Sequence, residues 1–141
     1  MPSNKSIILD THVLIWIVNE KQTKFTTKMV KLISQAAEER ALYVSVISLW
    51  EIAMLEAKGS IILKEPVLTW IKQVLQHLKV NVIDITPEIA VESANLLSSF
   101  HGDPADRIIV ASARIMNIPI VTKDIKILAY SKQDRVSALA I

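Results

Sequence analysis

The chain has 141 residues, which is enough for one domain with its own hydrophobic core. With 51% hydrophobic and 21% charged residues, its composition is that of a globular protein and excludes disordered and collagen-like classes. No apolar run reaches the roughly 20 residues of a membrane-spanning helix, and no secretory signal is visible. The absence of cysteine excludes disulfides, thiolate zinc sites and thiol nucleophiles, and we expect a cytoplasmic protein.

Strands and helices alternate along the chain, and we expect a single domain over residues 1–141. Short apolar runs rich in β-branched residues predict strands, and apolar residues three and four positions apart predict helices. The predicted elements are, in chain order, a strand at Ser6–Asp10, a helix opening with THVLIWIV, a helix at Thr27–Arg40, a strand at Leu42–Val46, a helix ISLWEIAMLEAKG stopping at Gly59, a helix at Pro66–Leu78 with Pro66 in its first turn, a strand at Val80–Ile85, a helix capped by Thr86 and running to Leu97, a helix DPADRIIVASARIM ending near Asn117, a strand at Ile118–Thr122, a helix at Lys123–Tyr130 and a weak edge strand in RVSALAI.

This order of elements predicts an α/β fold with a mostly parallel sheet and helices on both of its faces. Parallel neighbours require crossover connections, which are right-handed and place their helices against the sheet. Ligands of such sheets bind beyond the carboxyl ends of the strands. Residues that follow a strand directly are therefore the first candidates for a functional site.

Several acidic residues occupy such positions. Asp10 closes the first strand, Asp124 follows the strand before the last predicted helix, and Glu51 lies in the first turn of the helix after the second strand. Asp103 and Asp106 open a helix that precedes its strand. We expect that helix to start at the opposite edge of the sheet, unless it is angled or its start lies against the first strand.

Each of these acids also has a structural explanation as a helix cap. Asp103 precedes Pro104, and proline is favoured at the first helical position. The stretch SLWE is a capping-box pattern, in which Ser48 caps the helix and Glu51 reaches back to it. The acids at the strand ends would cap the helices that follow them, and for any single acid capping is the more frequent role.

Taken together, the acids favour a metal site. Several carboxylates at one sheet edge repel each other unless a cation lies between them. Oxygen ligands without cysteine or a spaced histidine pair suit Mg²⁺ or Mn²⁺ rather than zinc. The chain carries a net charge of +2. If four acids are gathered in a pocket, the remaining surface is more basic, which suits a polyanionic substrate, although an ordinary soluble surface explains that charge equally well.

Four motifs follow each other along nearly the whole chain: IILDTHVLIW, SVISLWEIA, HGDPADRIIVASA and IPIVTKD. In this order and spacing they resemble the motifs of PIN-domain ribonucleases, and in particular those of the VapC-type toxins of bacterial toxin–antitoxin pairs. The resemblance implies a PIN-like three-layer sandwich with a central sheet of four to five strands. It also implies hydrolysis of RNA, a homodimer, an antitoxin whose peptide crosses the active-site groove, and an angled helix that brings Asp106 to the strand ends.

The resemblance carries catalytic and metal-binding roles over to Asp10, Glu51, Asp106 and Asp124. Asp103 matches a further acid that shares the metal site or supports it. One or two Mg²⁺ (or Mn²⁺) ions would lower the pKa of a bound water and neutralise charge on the phosphoryl oxygens. We expect Asp10 and Asp106 to be direct ligands, Glu51 to ligate or to orient the attacking water, and Asp124 to act partly through water.

Two further residues are candidate substrate contacts. Thr11 could hydrogen-bond an acid or a phosphate, although a hydroxyl at a helix start is the commoner role. Arg107 could contact phosphate, and a surface salt bridge is an equally good explanation. His12 and His101 are not assigned catalytic roles, because a metal-based mechanism needs no histidine base.

The chain departs from the pattern of its relatives at Gly102 and Ala105, where they often carry Arg and Phe. The acids are retained, so the departure concerns RNA preference rather than metal chemistry. Tryptophans can stack on bases. For Trp16, Trp50 and Trp70, however, a place in the core or in a partner groove is the favoured interpretation.

Two other functions are compatible with the sequence. One is a catalytically silent PIN-fold module that only binds a protein partner. The other is a different Mg²⁺-dependent phosphoryl hydrolase, such as a phosphatase. Phosphatases of this kind use a nucleophilic aspartate with a second acid two residues later, and His12 stands at that position after Asp10.

Overall fold

The computed structural model describes residues 5–19, 25–96, 100, 103–133 and 136–141. His101, Gly102 and the predicted helix end at Leu97 lie outside these residues. The elements are β1 (Ile7–Leu9), α1 (Thr11–Val18), α2 (Thr27–Glu38), β2 (Leu42–Ser45), α3 (Val46–Ala57), α4 (Val67–His77), β3 (Asn81–Ile83), α5 (Pro87–Ala94), α6 (Pro104–Met116), β4 (Ile120–Thr122), α7 (Ile125–Ser131) and β5 (Ala138–Ala140). Within the described ranges, no helix is long and apolar enough to cross a membrane.

The five strands form one sheet in the order β3-β2-β1-β4-β5, and every neighbouring pair is parallel. β1 lies at the centre, where Ile8 is in register with Tyr43 of β2 and Ile120 of β4. The predicted parallel sheet is confirmed, and the weak strand at the end of the chain is confirmed as edge strand β5. The carboxyl ends of β1, β2 and β4 consequently lie side by side.

Side chains that alternate along the strands face two separate cores. Ile7 and Leu9 of β1 pack on the side of α1 to α4, whereas Ile8 between them packs on the side of α5 to α7. Fully burying an aliphatic side chain of this size stabilises a fold by about 1.5–3 kcal/mol. Both faces of the sheet are therefore covered by helices, which confirms the three-layer sandwich.

Capping groups, rather than the apolar pattern alone, determine where the helices begin and end. Thr86 accepts a hydrogen bond from the backbone of Ile89, so α5 begins at Pro87 as predicted. Pro66 occupies the N-cap position of α4, without a side-chain capping bond, instead of lying in its first turn. Asn117 adopts the left-handed conformation (φ 55°, ψ 47°) and ends α6 at the predicted place.

The direction of α6 differs from the sequence-based expectation. Its first turn, with Asp106, lines the same cavity as Asp10, which follows β1 at the carboxyl edge of the sheet. Its last turn leads through Asn117 into β4, which starts at the opposite edge. The expectation that α6 would begin at the opposite edge was wrong. A helix that runs antiparallel to parallel strands starts where those strands end, and no special tilt is needed.

Candidate active site

A cavity of about 610 Å³ lies at the carboxyl edge of the sheet. All five acids singled out from the sequence line it, although they come from four separate segments of the chain. The described residues that line it are Asp10, Thr11, His12, Trp16, Glu51, Asp103, Asp106, Lys123, Asp124, Ile125 and Lys126. The tertiary structure therefore brings Asp103 and Asp106 to the three acids that the strand-end rule selected.

A larger cavity, of about 1060 Å³, lies between the end of α1, the segment 62–65 and α4. Of the described residues that line it, Glu65 is the single carboxylate. The larger cavity therefore lacks a cluster of carboxylates. The smaller, acidic cavity is the candidate active site.

Asp10 is the most firmly held of the acids. Its side chain is 6% exposed, and as the N-cap of α1 it accepts a hydrogen bond of 2.8 Å from the backbone N–H of Thr11. Its second oxygen accepts a bond of 2.7 Å from the hydroxyl of Thr122, the last residue of β4. Burial raises the pKa of Asp10 above its ordinary value, and these two hydrogen bonds oppose the rise.

Glu51 is held by α1 rather than by its own helix. Its Oε1 lies 2.5 Å from the Thr11 hydroxyl, which also lies 2.8 Å from the hydroxyl of Ser48. Because a hydroxyl has a single proton, Thr11 donates to the carboxylate and accepts from Ser48. Burial raises the pKa of Glu51, the bond from Thr11 lowers it, and nearby Asp103 raises it.

The prediction that SLWE forms a capping box is wrong. The N-cap of α3 is Ser45, whose side chain accepts from the backbone of Ile47 at 3.1 Å. Ser48 is already inside the helix and fully buried against Thr11. Glu51 is therefore directed into the cavity region and not back to the start of α3.

Asp103 and Asp106 lie three positions apart at the start of α6. Asp103 is its N-cap and accepts a bond of 2.9 Å from the backbone N–H of Asp106. The Asp106 side chain is half-buried. Burial, followed by the charges of Asp103, Asp10, Asp124 and Glu51, raises its pKa to about 7. An ion-free site therefore holds Asp106 near the midpoint of its titration at neutral pH.

Asp124 caps α7, accepting bonds of 2.7 Å from the backbone of Lys126 and 3.2 Å from that of Ile127. Its own N–H donates to the Thr122 hydroxyl at 2.9 Å. Thr122 thus links Asp10 to the start of α7. The sequence analysis did not select it, although a hydroxyl residue closing a buried strand beside an acid was a usable signal.

Arg107, the candidate phosphate contact, donates its hydrogen bonds to backbone carbonyls in the structure. Its Nε donates to the carbonyl of Ser93 at 2.9 Å, and its Nη1 donates to the carbonyl of Phe100 at 3.3 Å. It does not line the acidic cavity. Arg107 ties the start of α6 to the end of α5 and to the segment between them, which is a structural role and not the salt bridge considered from the sequence.

Helix capping and site formation are therefore not alternatives in this fold. Asp10, Asp103 and Asp124 each cap a helix and line the cavity. The tryptophans differ: Trp70 belongs to the core, Trp50 is 55% exposed on α3, and Trp16 lines the cavity.

Replacing Thr11 with valine is expected to remove the hydroxyl proton that Thr11 donates to Glu51, while keeping the shape of the side chain. Losing a hydrogen bond to a buried or half-buried charged group costs about 1.5–3 kcal/mol. We expect Thr11→Val to lower the free energy of unfolding, measured by urea unfolding, by that amount, whereas Thr11→Ser retains the hydroxyl and should stay close to wild type. Equal free energies of unfolding for the two variants would contradict the assignment.

A five-stranded parallel sheet between two helical layers, with acids at the carboxyl ends of its central strands, defines the class of the protein. Residues 7–133 match the PIN domain family, and the chain belongs to that family. Among curated proteins, Ribonuclease VapC22 of Mycobacterium tuberculosis is 39% identical over 120 residues, which are 84% of this chain and 87% of that protein.

Solved structures share the fold at lower sequence identity. The VapBC2 structure from Rickettsia felis, bound to a DNA fragment from their promoter, is 16% identical with a TM-score of 0.71, and the match covers 96% of this chain and 98% of that chain. A toxin–antitoxin complex from Klebsiella pneumoniae is 24% identical with a TM-score of 0.55, and the match covers 84% and 87% of the two chains.

Proposed function

We propose that this protein is a metal-dependent endoribonuclease and the toxin of a VapBC-type toxin–antitoxin pair, formed by a single PIN domain. One observation carries the proposal: five carboxylates from four segments of the chain line one cavity at the carboxyl edge of the sheet. The name of the relative VapC22, a ribonuclease, supports RNA as the substrate.

The residues fit a hard divalent cation, Mg²⁺ or Mn²⁺. The donors are carboxylate oxygens, and burial followed by the charges of the neighbouring acids raises the pKa of Asp106. Within the described residues, no three Asp, Glu or His side chains lie close enough to hold an ion by themselves. Mg²⁺ tolerates such an open set, because it takes one or two carboxylates and completes its shell with water and phosphate oxygens.

The side chains that would hold the ion differ in how firmly they are placed. Asp10 is immobilised by two hydrogen bonds, and Asp106 projects from the first turn of α6, so these two are the proposed direct ligands. Glu51, oriented by Thr11, and Asp124 complete the catalytic set, with Asp103 in a supporting place. A bound ion supplies acidification of water and neutralisation of phosphoryl charge.

The proposed partners are RNA, a cognate antitoxin and a second copy of the chain, in the cytoplasm. The assignment of an antitoxin is supported by the likeness to a toxin–antitoxin complex. An apolar surface is available for a protein partner on α3, where Trp50 is 55% exposed and Met54, one turn later, is 36% exposed.

Cleavage of RNA by purified protein with Mg²⁺ or Mn²⁺ tests the proposal, using both structured and unstructured RNAs. Wild type is expected to cut at least one of them, and Asp10→Asn to lose roughly 100-fold or more, as when a preorganised electrostatic group is removed. Asp84→Asn is the matched control, because Asp84 also follows a strand but is exposed and does not line the cavity. Absence of cleavage by wild type would favour the silent binding module, and a phosphoaspartate at Asp10 would favour the phosphatase.

A further inference from the structure

The acidic cavity also contains positive charge. Lys123 and Lys126 line it together with the five carboxylates. Lys123 lies between Thr122, whose hydroxyl donates to Asp10, and Asp124, whose side chain caps α7. The backbone on either side of Lys123 is therefore anchored at the sheet edge, although its own side chain is exposed.

Neither lysine forms an ion pair within 4.0 Å with the described acids beside it. In the part of the chain that the structure describes, the ion pairs within 4.0 Å join Lys5 to Glu39 and Arg114 to Glu92. The ammonium of Lys123 instead lies over the ring of Trp16, with Nζ 5.5 Å from the ring centroid. A cation at that distance from an indole ring is attracted by the negative face of the ring.

This placement has a direct electrostatic consequence. An ammonium group inserted among the carboxylates would occupy the position proposed for the divalent cation. Held over Trp16, it stays at the wall of the cavity, and its charge is available to an incoming anion. The substrate of the proposed function is a polyanion whose phosphates recur along the strand.

We propose that Lys123, held in place by Trp16, binds a backbone phosphate of the RNA strand next to the phosphate that is cut. This inference rests on the proposed ribonuclease function and names the residue that positions its substrate. Trp16 acts as a positioning residue for Lys123. Neither residue contacts the reacting atoms, so both should affect substrate binding more than turnover.

The test compares Lys123→Met, Lys123→Arg and Trp16→Phe with wild type, using a single-stranded RNA that wild type cleaves. We expect Lys123→Met to raise KM roughly fivefold or more with kcat within about twofold, as expected for loss of uniform binding. The slope of log binding constant against log salt concentration should fall in magnitude by about 0.7, the value for one lost phosphate contact on a single strand. Lys123→Arg should retain most of the affinity for RNA. The affinity of Trp16→Phe should lie between those of wild type and Lys123→Met.

Lys72→Met is the matched control, because Lys72 is exposed on α4, lines neither cavity and carries the same charge. Binding is also measured by fluorescence anisotropy in the cleavage-deficient Asp106→Asn background, so the inference is decided even if cleavage is absent. Wild type that binds RNA without cutting it would overturn the proposed function alone. An unchanged KM and salt slope in Lys123→Met, or equal losses in Lys72→Met, would overturn this inference alone.

Discussion

Asp106→Asn is expected to reduce RNA cleavage strongly and, in metal-free buffer at pH 7.5, to raise the melting temperature. The loss of cleavage follows from removing a proposed direct ligand and should be roughly 100- to 1000-fold, as when a preorganised electrostatic group is removed. The gain in stability follows from the carboxylates that surround Asp106: burial and the charges of Asp103, Asp10, Asp124 and Glu51 disfavour its ionised form. Asparagine has a similar shape and carries no charge.

The stabilisation by Asp106→Asn should depend on pH in a direction that the raised pKa determines. The pKa of Asp106 is about 7 in the folded chain, against an ordinary value of 3.8. Below both values folded and unfolded chains hold the proton. Between them only the folded chain holds it, so wild type loses stability as pH rises from about 4 to 7. The difference in melting temperature between Asp106→Asn and wild type should therefore widen from pH 4.5 to pH 7.5.

Asp84→Asn serves as the control for this measurement too, since it removes the same charge from an exposed position outside the cavity. It should leave cleavage and the pH profile of the melting temperature unchanged. An Asp106→Asn variant that is less stable than wild type at pH 7.5 would show that the carboxylate is satisfied by contacts within the protein and needs no cation.

Adding Mg²⁺ or Mn²⁺ to metal-free protein should raise its melting temperature by roughly 5–10 °C. A ligand at 100 times its Kd stabilises the folded state by about 2.7 kcal/mol, and each kcal/mol moves the melting temperature of a chain this size by about 3 °C. The physical source is relief of the repulsion among the carboxylates of the cavity. EDTA should reverse the rise and stop RNA cleavage in the same titration.

The metal effect must be distinguished from screening of charges by salt. NaCl at matched ionic strength should give a much smaller rise, because screening acts weakly on half-buried charges. Asp106→Asn should lose most of the rise with the divalent ion, and Asp84→Asn should keep it. Equal effects of NaCl and MgCl₂ on wild type would remove the basis for a metal site.

The interpretation of the acids as helix caps was correct for the local structure but did not describe their place in the candidate site. Asp10, Asp103 and Asp124 do cap helices, as their sequence neighbours indicated. Since parallel strands end at one edge and the following helices start there, the capping position and the ligand-binding position are the same place in this fold. For that reason no single acid could be assigned from its neighbours alone.

The sequence by itself determined the alternation of strands and helices, the parallel sheet and the strand-end positions of Asp10 and Asp124. These follow from local apolar periodicity and from general rules of chain connection, both of which act over short stretches. The tertiary structure alone decided the partners of the polar side chains. The bond from Thr122 to Asp10 joins residues 112 positions apart, and that from Thr11 to Glu51 joins residues 40 apart.

The same distinction applies to two cationic side chains near the site. Arg107 donates to backbone carbonyls, and Lys123 lies over Trp16 although carboxylates line the same cavity. A long cationic side chain can reach many acceptors from one backbone position, so its sequence neighbours do not specify its partner. Packing selects among those acceptors, because the choice depends on which segments the fold brings within a few ångströms of it.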